Sequence, residues 1–413
     1  MSKIKQALLL LLPLTLLIGS CTSRAGKQVY PMKCVKPFQE FAYSGPNLNR
    51  GLKTILPPPP WTIEASLPLL EEKGFFALSV DVETARLINQ HQEIWLQVNL
   101  LPIESGISAK NAFLVYYPAS KAWKYISADI GNTALFVGDL FVTSNGDLWG
   151  VTEWDTVHGQ SSLEKVPVLT KFNETTQQFE FASGILEIPW KLFSYNSFPW
   201  PEVVLDEEDI FWLFVKSDGI YRYDPVTQRT ERRASLLGLD VTDVALSPDG
   251  SIYFQVFRQE IYSKESFFRL IDGMLFRFLP TTSEIIPLDI PDQPWPIPGK
   301  ILATHDGKLW LGAIGYREPN GAWRLLHPDP QEYFKHAGDI YWATPFLILE
   351  SSDGILWYRK STDDVRADGT AWYDPRTGKG CMFTNIDANI VEDSEQRLWM
   401  VADGKLFKYE LSP

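Results

Sequence analysis

The sequence predicts an all-β protein, a seven-bladed β-propeller of four-stranded antiparallel blades. Three observations lead there. A polar turn followed by an aliphatic or aromatic residue and then Trp or Tyr recurs seven times between residues 93 and 410. Successive anchors lie 54, 63, 41, 57, 47 and 42 residues apart, which is the length of one four-stranded blade. Amphipathic helical periodicity is almost absent after residue 70, while 27 Gly and 29 Pro supply turns throughout.

The anchors begin with Glu93-Ile94-Trp95, Gly146-Asp147-Leu148-Trp149 and Asp209-Ile210-Phe211-Trp212. They continue with Asp249-Gly250-Ser251-Ile252-Tyr253, Asp306-Gly307-Lys308-Leu309-Trp310, Asp353-Gly354-Ile355-Leu356-Trp357 and Gln396-Arg397-Leu398-Trp399. Asp-Gly makes the hairpin turn, and the aromatic ring is expected to fill the gap between blades. A second element follows each anchor, as in Gly219-Ile220-Tyr221-Arg222-Tyr223-Asp224-Pro225 and Thr370-Ala371-Trp372-Tyr373-Asp374-Pro375. Asp-Pro favours a tight type I turn into the next strand. Residues 61–92 precede the first anchor, so the blade count stays open between six and eight.

These residues resemble the propeller repeats of two-component-regulator sensors and streptogramin lyase-like proteins, whose blades carry DG-x-LW followed by GL-x-x-YD. The resemblance covers about three quarters of the chain. It implies a sensor-like propeller. No histidine-kinase segment follows the repeats here, so any signal is expected to pass through a partner. The lyases use His and Glu at the propeller mouth. Their Glu-x-His pair is absent from this sequence, which counts against that activity.

The N-terminus reads as an address. Lys3 and Lys5 precede a Leu-rich run from Ala7 to Ile18, too short to cross ~30 Å of hydrocarbon but suited to a signal peptide. The run ends in Ile18-Gly19-Ser20-Cys21, which resembles the bacterial lipobox. That resemblance implies cleavage before Cys21 and lipidation of its sulfur. Three domains are therefore expected: a lipoprotein signal peptide over 1–20, a lipidated tether over 21–60, and the propeller over 61–413. The tether contains Pro57-Pro58-Pro59-Pro60, a polyproline II former. The expected location is a bacterial cell membrane or outer membrane, lipid-anchored on the extracytoplasmic side. Without Lys3 and Lys5 the chain has 36 basic and 51 acidic residues. That balance argues against nucleic acid as a partner.

Ring closure needs the two ends of the chain to meet. The last blade runs out of sequence after its third strand, so its outer strand is expected from the N-terminal side, over Gly74 to Val82. Closure would also bring Cys34 near Cys381. In an oxidising compartment the pair is expected to form a disulfide.

Strand alternation assigns the loops to two faces. The turns SPDG, THDG, DPVT and DPRT are short and share one face. Asn99–Asn111, Thr152–Lys165, Gln255–Asp272 and Arg359–Gly369 are long and share the other with the blade-to-blade loops. Binding residues concentrate on loops held by a rigid scaffold. Trp200, Trp295, Tyr341 and Trp342 fall in blade-to-blade loops and are the candidate ligand-stacking residues, suited to sugar faces or peptides. Covering blade junctions is the alternative use of the same rings.

No catalytic constellation is legible. His91, His158, His305, His327 and His336 form no metal-ligand spacing. Asp363–Gly369 looks loosely like a calcium loop, but Pro375 stands where an EF-hand needs Glu. No nucleophile-elbow, Walker or Rossmann signature is present, so no cofactor and no metal is expected. The leading expectation is a membrane-anchored propeller that binds a glycan, peptide or protein. The alternatives are a propeller lyase or hydrolase, with a site assembled from several blades, and a purely structural scaffold.

Overall fold

The computed structural model describes residues 34–38, 57, 60–68, 75–88, 91–102, 110–130, 135–154, 165–189, 201–216, 218–237, 239, 241–262, 267–289, 300–312, 315–326, 346–360 and 369–411. Every element named among them is a β-strand. Seven antiparallel sheets follow one another along the chain and form a seven-bladed propeller.

Blade 1 is β3 (Phe75–Ile88), β4 (His91–Pro102), β5 (Lys110–Tyr117) and β6 (Ala122–Ser127). Blade 2 is β7 (Leu135–Val142), β8 (Leu148–Trp154), β10 (Leu169–Asn173) and β11 (Gln178–Phe181). A small ladder of β9 (Lys165–Pro167) and β12 (Glu187–Pro189) accompanies it. Blade 3 is β13 (Glu202–Leu205), β14 (Phe211–Val215), β15 (Gly219–Asp224) and β16 (Arg229–Ser235). Blade 4 is β17 (Val241–Leu246), β18 (Ile252–Tyr262), β19 (Phe267–Leu279) and β20 (Glu284–Leu288). Blade 5 is β21 (Ile301–Ala303), β22 (Leu309–Leu311), β23 (Gly315–Arg317) and β24 (Trp323–Leu325). Blade 6 is β25 (Phe346–Glu350), β26 (Leu356–Lys360), β27 (Gly369–Asp374) and β28 (Lys379–Thr384), with β1 (Lys36–Pro37) as a fifth strand. Blade 7 is β29 (Ile390–Glu392), β30 (Arg397–Ala402), β31 (Lys405–Glu410) and β2 (Thr62–Ser66).

Each sheet is packed on both faces by its neighbours, so the second strands are apolar without alternation. All five residues of Phe211-Trp212-Leu213-Phe214-Val215 are buried, as expected for strands covered on both sides. All seven anchor rings are buried, from Trp399 at 0% to Tyr253 at 7%. Each anchor is in the second strand of its blade and reaches into the next blade. Trp95 meets Phe172 at 5.2 Å, Trp149 meets Tyr223 at 6.0 Å and Trp212 meets Phe278 at 5.4 Å. Trp310 meets Tyr373 at 6.2 Å and Trp357 meets Tyr409 at 6.2 Å. Trp399 meets Tyr116 of blade 1 at 6.5 Å, which closes the circle. The junction of blades 4 and 5 departs from this pattern. There Tyr253 packs in an aliphatic cluster with Leu309 and Leu311.

The turns carry the chemistry read from the sequence. In Ser351-Ser352-Asp353-Gly354-Ile355 the amide of Ser351 donates to the carbonyl of Ile355 at 2.9 Å, and Gly354 has φ +79°. This left-handed conformation is open to Gly at no steric cost. Adjacent turns are stitched together around the ring. The Ser144 amide donates to Asp209 at 2.7 Å, the His305 amide to Glu350 at 2.7 Å and the Ser352 amide to Glu392 at 2.7 Å.

The closing strand differs from the expected one. Blade 7 is completed by Thr62–Ser66, paired with β31, whereas Gly74–Val82 falls largely within Phe75–Ile88, the innermost strand of blade 1. The reason lies in Trp61. It is buried between blades 6 and 7 against Trp357, Phe383 and Tyr409, and it delivers the chain to that edge. Glu64, left unpaired by a bulge, bonds Lys408 at 3.2 Å and accepts from the Tyr116 hydroxyl of blade 1 at 3.1 Å. Pairing this edge removes an open sheet margin.

Part of the expected tether is docked rather than free. Lys36–Pro37 pairs with Met382 and Cys381, and Phe38 is buried against Tyr358 and Tyr373 at ring distances of 5.0 and 4.9 Å. Burying a phenyl ring contributes about 1.5–3 kcal/mol toward holding this segment on the blade. Cys34 and Cys381 are joined by a disulfide, with Cα atoms 5.4 Å apart. The segment over 1–20 and Cys21 lie outside the described residues. The stretch Gln255–Asp272, read as a long loop, is mostly strand: β18 and β19 pair through to Tyr262 and Phe267 in one extended hairpin.

Candidate functional site at the propeller axis

The first strand of each blade lines the axis. Neighbouring inner strands pack on one another, β3 on β7, β13 on β17, β17 on β21, β21 on β25, β25 on β29 and β29 on β3. In a repeat protein such strands would be expected to carry apolar or small residues. Here they carry charge. Asp139, Glu202, Asp243 and Lys300 each lie ten residues before an anchor, in blades 2, 3, 4 and 5. Glu83 occupies the inner strand of blade 1. Asp139 and Lys300 are exposed, and Glu83, Glu202 and Asp243 are half-buried.

Bulges set the direction of several of them. The register of β3 against β4 slips between Val82 and Thr84, which leaves Glu83 unpaired. The register of β7 against β8 slips between Val137 and Leu140, across Gly138 and Asp139. That of β17 slips between Val241 and Asp243. A bulge bends the strand and re-aims a side chain. Gly138 also makes room: a Cβ there would stand 1.9 Å from a carboxylate oxygen of Glu153.

The carboxylates act on one another. Burial pushes Glu83 up to about 8, helped by Asp139 and Asp81 and opposed by Lys300 and Arg359. Burial pushes Glu202 up to about 8 as well, with Asp243, Asp139 and Glu153 adding to the effect and Lys300 opposing it. Burial and Asp139 push Glu153 up to about 7. Asp243 rises to about 7 through burial, against the pull of Lys300 and of the Ile301 and Val244 amides. The Ile301 amide donates directly to Asp243. The charge of Asp139 contributes to all four shifts.

The cations come from the opposite arc. Lys300 directly precedes β21 of blade 5. Arg359, on β26 of blade 6, is 3.8 Å from Asp81 of blade 1 and 3.9 Å from Asp387 just before β29 of blade 7. The charges gather toward one end of the ring. Glu202 opens β13 and Lys300 precedes β21, whereas the short Asp-Gly turns follow the other ends of the inner strands. This is the face that also carries the second-to-third strand connections and the blade-to-blade loops. It is the face read as decorated from the sequence.

The sequence-predicted stacking residues Trp200, Trp295, Tyr341 and Trp342 lie outside the described residues. Along the chain Trp200 is two residues before Glu202, and Trp295 is five before Lys300. Among the histidines, His305 is exposed in its turn and bonds Glu350 at 2.8 Å. No group of three or more His, Cys, Asp or Glu among the described residues could hold a metal ion. Among those residues no helix is long and apolar enough to cross a membrane. The axial carboxylates were missed in the sequence. Their signal is positional: a charged residue at the same offset from four successive anchors, on or directly before inner strands that are otherwise largely apolar.

No protein-family profile and no curated protein matches the chain. Among solved structures it is similar to the extracellular domain of what is described as a hybrid two component system of B. thetaiotaomicron. The identity is 11% and the TM-score 0.43, over 82% of this chain and 41% of that one. A second is the extracellular domain of what is described as a one component system of the same organism, at 12% identity and TM-score 0.33, over 80% and 45%. A third is YCF48 bound to D1 peptide, at 13% identity and TM-score 0.45, over 83% and 97%. The chain thus spans under half the length of the first two. These likenesses are of fold.

Proposed function

We propose that this chain is a lipid-anchored, extracytoplasmic propeller that acts as a sensor-like binding module. Its ligand, a glycan, peptide or protein segment, enters at the loop-side end of the axis. The observation that carries the reading is the placement of Asp139, Glu202, Asp243 and Lys300 on or directly before the inner strands of four successive blades, at one offset from their anchors, with Glu83 on the inner strand of blade 1 and Arg359 of blade 6 beside Asp81. Holding like charges together costs stability, and natural proteins retain such costs mainly where a site needs them. Cys21 would supply the anchor.

The test has two arms. Palmitate labelling of the full chain and of Cys21→Ser reads the anchor; label that persists in the variant sinks that half. Thermal-shift screening of the detergent-purified chain against oligosaccharide and peptide libraries reads binding. A hit whose shift disappears in Asp139→Asn supports the axial site. Hits that are indifferent to Asp139→Asn and Arg359→Gln place binding elsewhere and overturn the site.

One observation also favours the enzyme reading. A carboxyl that titrates near neutrality can give and take a proton, and Glu83 and Glu202 are such groups. Turnover of a bound glycan that is lost in Glu83→Gln or Glu202→Gln would favour it. Binding without turnover would leave the binding module.

A further inference from the structure

We propose that the long hairpin of blade 4 is a dimerisation arm: the free edge of β18 pairs antiparallel with β18 of a second copy of this chain, about a two-fold axis at Gln259. The inference goes beyond the binding reading and does not depend on what the chain binds. It rests on a self-complementary order of residues along one unpaired strand edge.

β18 and β19 run to 11 and 13 residues, against 5 and 6 for the matching strands of blade 3. β17 pairs with β18 only as far as Val256, and β20 pairs with β19 only from Leu275. Past those points, among the described residues, the two strands have only each other as strand partners. The arm continues from Phe257 to Tyr262, roughly 20 Å beyond the loop-side end of the blade. A two-stranded ribbon on its own is marginal in water and gains from a further strand.

The two edges of the arm are not equivalent. The register between the strands skips Ile271, so β19 carries a bulge there, and bulges blunt an edge against pairing. Over 257–262 β18 has no extra residue and neither the Lys nor the Pro that commonly guards an exposed edge. Its order is Phe257-Arg258-Gln259-Glu260-Ile261. Antiparallel pairing about Gln259 sets Phe257 opposite Ile261 of the second copy and Arg258 opposite its Glu260. Within the hairpin, Arg258 is already opposite Asp272 and Glu260 opposite Arg269. Each charged row would then cross four strands as Asp272, Arg258, Glu260 and Arg269, alternating in sign. Unlike charges directly opposed stabilise a sheet, and like charges destabilise it. The register is specified too, since moving the axis by one residue sets Arg258 against Arg258 or Glu260 against Glu260. So short a paired edge makes a small interface, and a dimer of micromolar rather than nanomolar affinity is expected.

Sedimentation equilibrium of the full chain in density-matched detergent, up to roughly 200 μM protein, reads the arm. The wild type should approach a dimer. Arg258→Glu and Glu260→Arg should each weaken self-association by about tenfold or more, because each variant paired with itself opposes like charges twice. An equal mixture of the two variants should dimerise as the wild type does, since every opposed pair is then of unlike sign. Damage to the fold of the hairpin would not be repaired by mixing. A monomeric wild type, single variants that associate like the wild type, or a mixture that stays monomeric overturns the proposal. Should a single variant fail to fold, Gln259→Cys decides. Directly opposed residues have Cα atoms about 4.5–5.5 Å apart, within disulfide reach, so air oxidation should link this variant into a dimer through the new thiol. Val226→Cys, in an exposed turn on the opposite face, should stay monomeric. Failure of Gln259→Cys to link, or equal linking of Val226→Cys, overturns the arm.

Discussion

The indole Nε1 of Trp399 donates a 2.6 Å hydrogen bond to Oδ2 of Asp393, six residues earlier at the start of the same turn. The pairing recurs. Trp212 donates to Asp206 at 2.8 Å and Trp357 to the Ser351 hydroxyl at 2.9 Å. One residue thus caps the turn with backbone bonds and satisfies the polar tip of the ring that seals the blade junction.

Asp393 also accepts from the Glu395 and Arg397 amides and from the Arg397 guanidinium. Burial works against its ionisation, but these bonds outweigh burial and hold it below the usual carboxylate range. Asp393→Ala is expected to lose about 1–3 kcal/mol, because it strands a buried indole N–H. A lowered folded pKa contributes stability that is present above the unfolded pKa and is lost as pH falls. The gap between wild type and variant, read from urea midpoints, should therefore be full at pH 7 and narrow below about pH 4. A gap that is constant with pH would contradict the ionised role.

The junction of blades 4 and 5 should open first. Elsewhere a Trp meets a Tyr or Phe on the third strand of the next blade. Here the ring is Tyr253, and the equivalent place opposite Leu309 is taken by Arg317, whose Nε is buried without a hydrogen-bond partner. An aromatic pair adds about 0.5–1.5 kcal/mol beyond its buried area. Hydrogen exchange should show β22 and β23 less protected than β26 and β27. Arg317→Tyr should raise the melting temperature.

The Cys34–Cys381 bond closes a loop of 347 residues. A cross-link over so long a loop removes much unfolded-state entropy, and losing such a bond typically costs about 2–5 kcal/mol. Cys34→Ser with Cys381→Ser should melt earlier than wild type, and dithiothreitol should lower the wild type to match. Peptide mapping without reductant should recover Cys34 and Cys381 in one species.

Two glycines with the same backbone sign should respond differently to substitution. Gly184 has φ +66°, and a Cβ there would stand 1.9 Å from the Gln228 carbonyl of blade 3. Gly354 has φ +79° with nothing within 4 Å. Gly354→Ala carries only backbone strain of about 1–2 kcal/mol, whereas Gly184→Ala must also push two blades apart. Denaturant midpoints should rank Gly184→Ala as the more damaging.

The blades and their junctions were legible in the sequence because they are made locally. An Asp-Gly turn and the aromatic residue that follows it lie within a few positions of each other, and the pattern repeats in order. That was enough to find all seven anchors, Trp95 through Trp399. The closing strand was misplaced because nothing local tells Thr62–Ser66 from Phe75–Ile88, which are both plausible strands. Only the buried seat of Trp61 between blades 6 and 7, at the far end of the chain, chooses.

The sequence by itself determined the number of anchors, the chemistry of the turns and which rings are buried. Only the tertiary structure decided that the charge of Asp139 of blade 2 would act on Glu83, Glu202 and Asp243 of three other blades, and that Cys34 would reach blade 6. Turn and strand preferences act over a few residues along the chain. Electrostatic repulsion and edge pairing act through space, between groups that only closing the ring brings together.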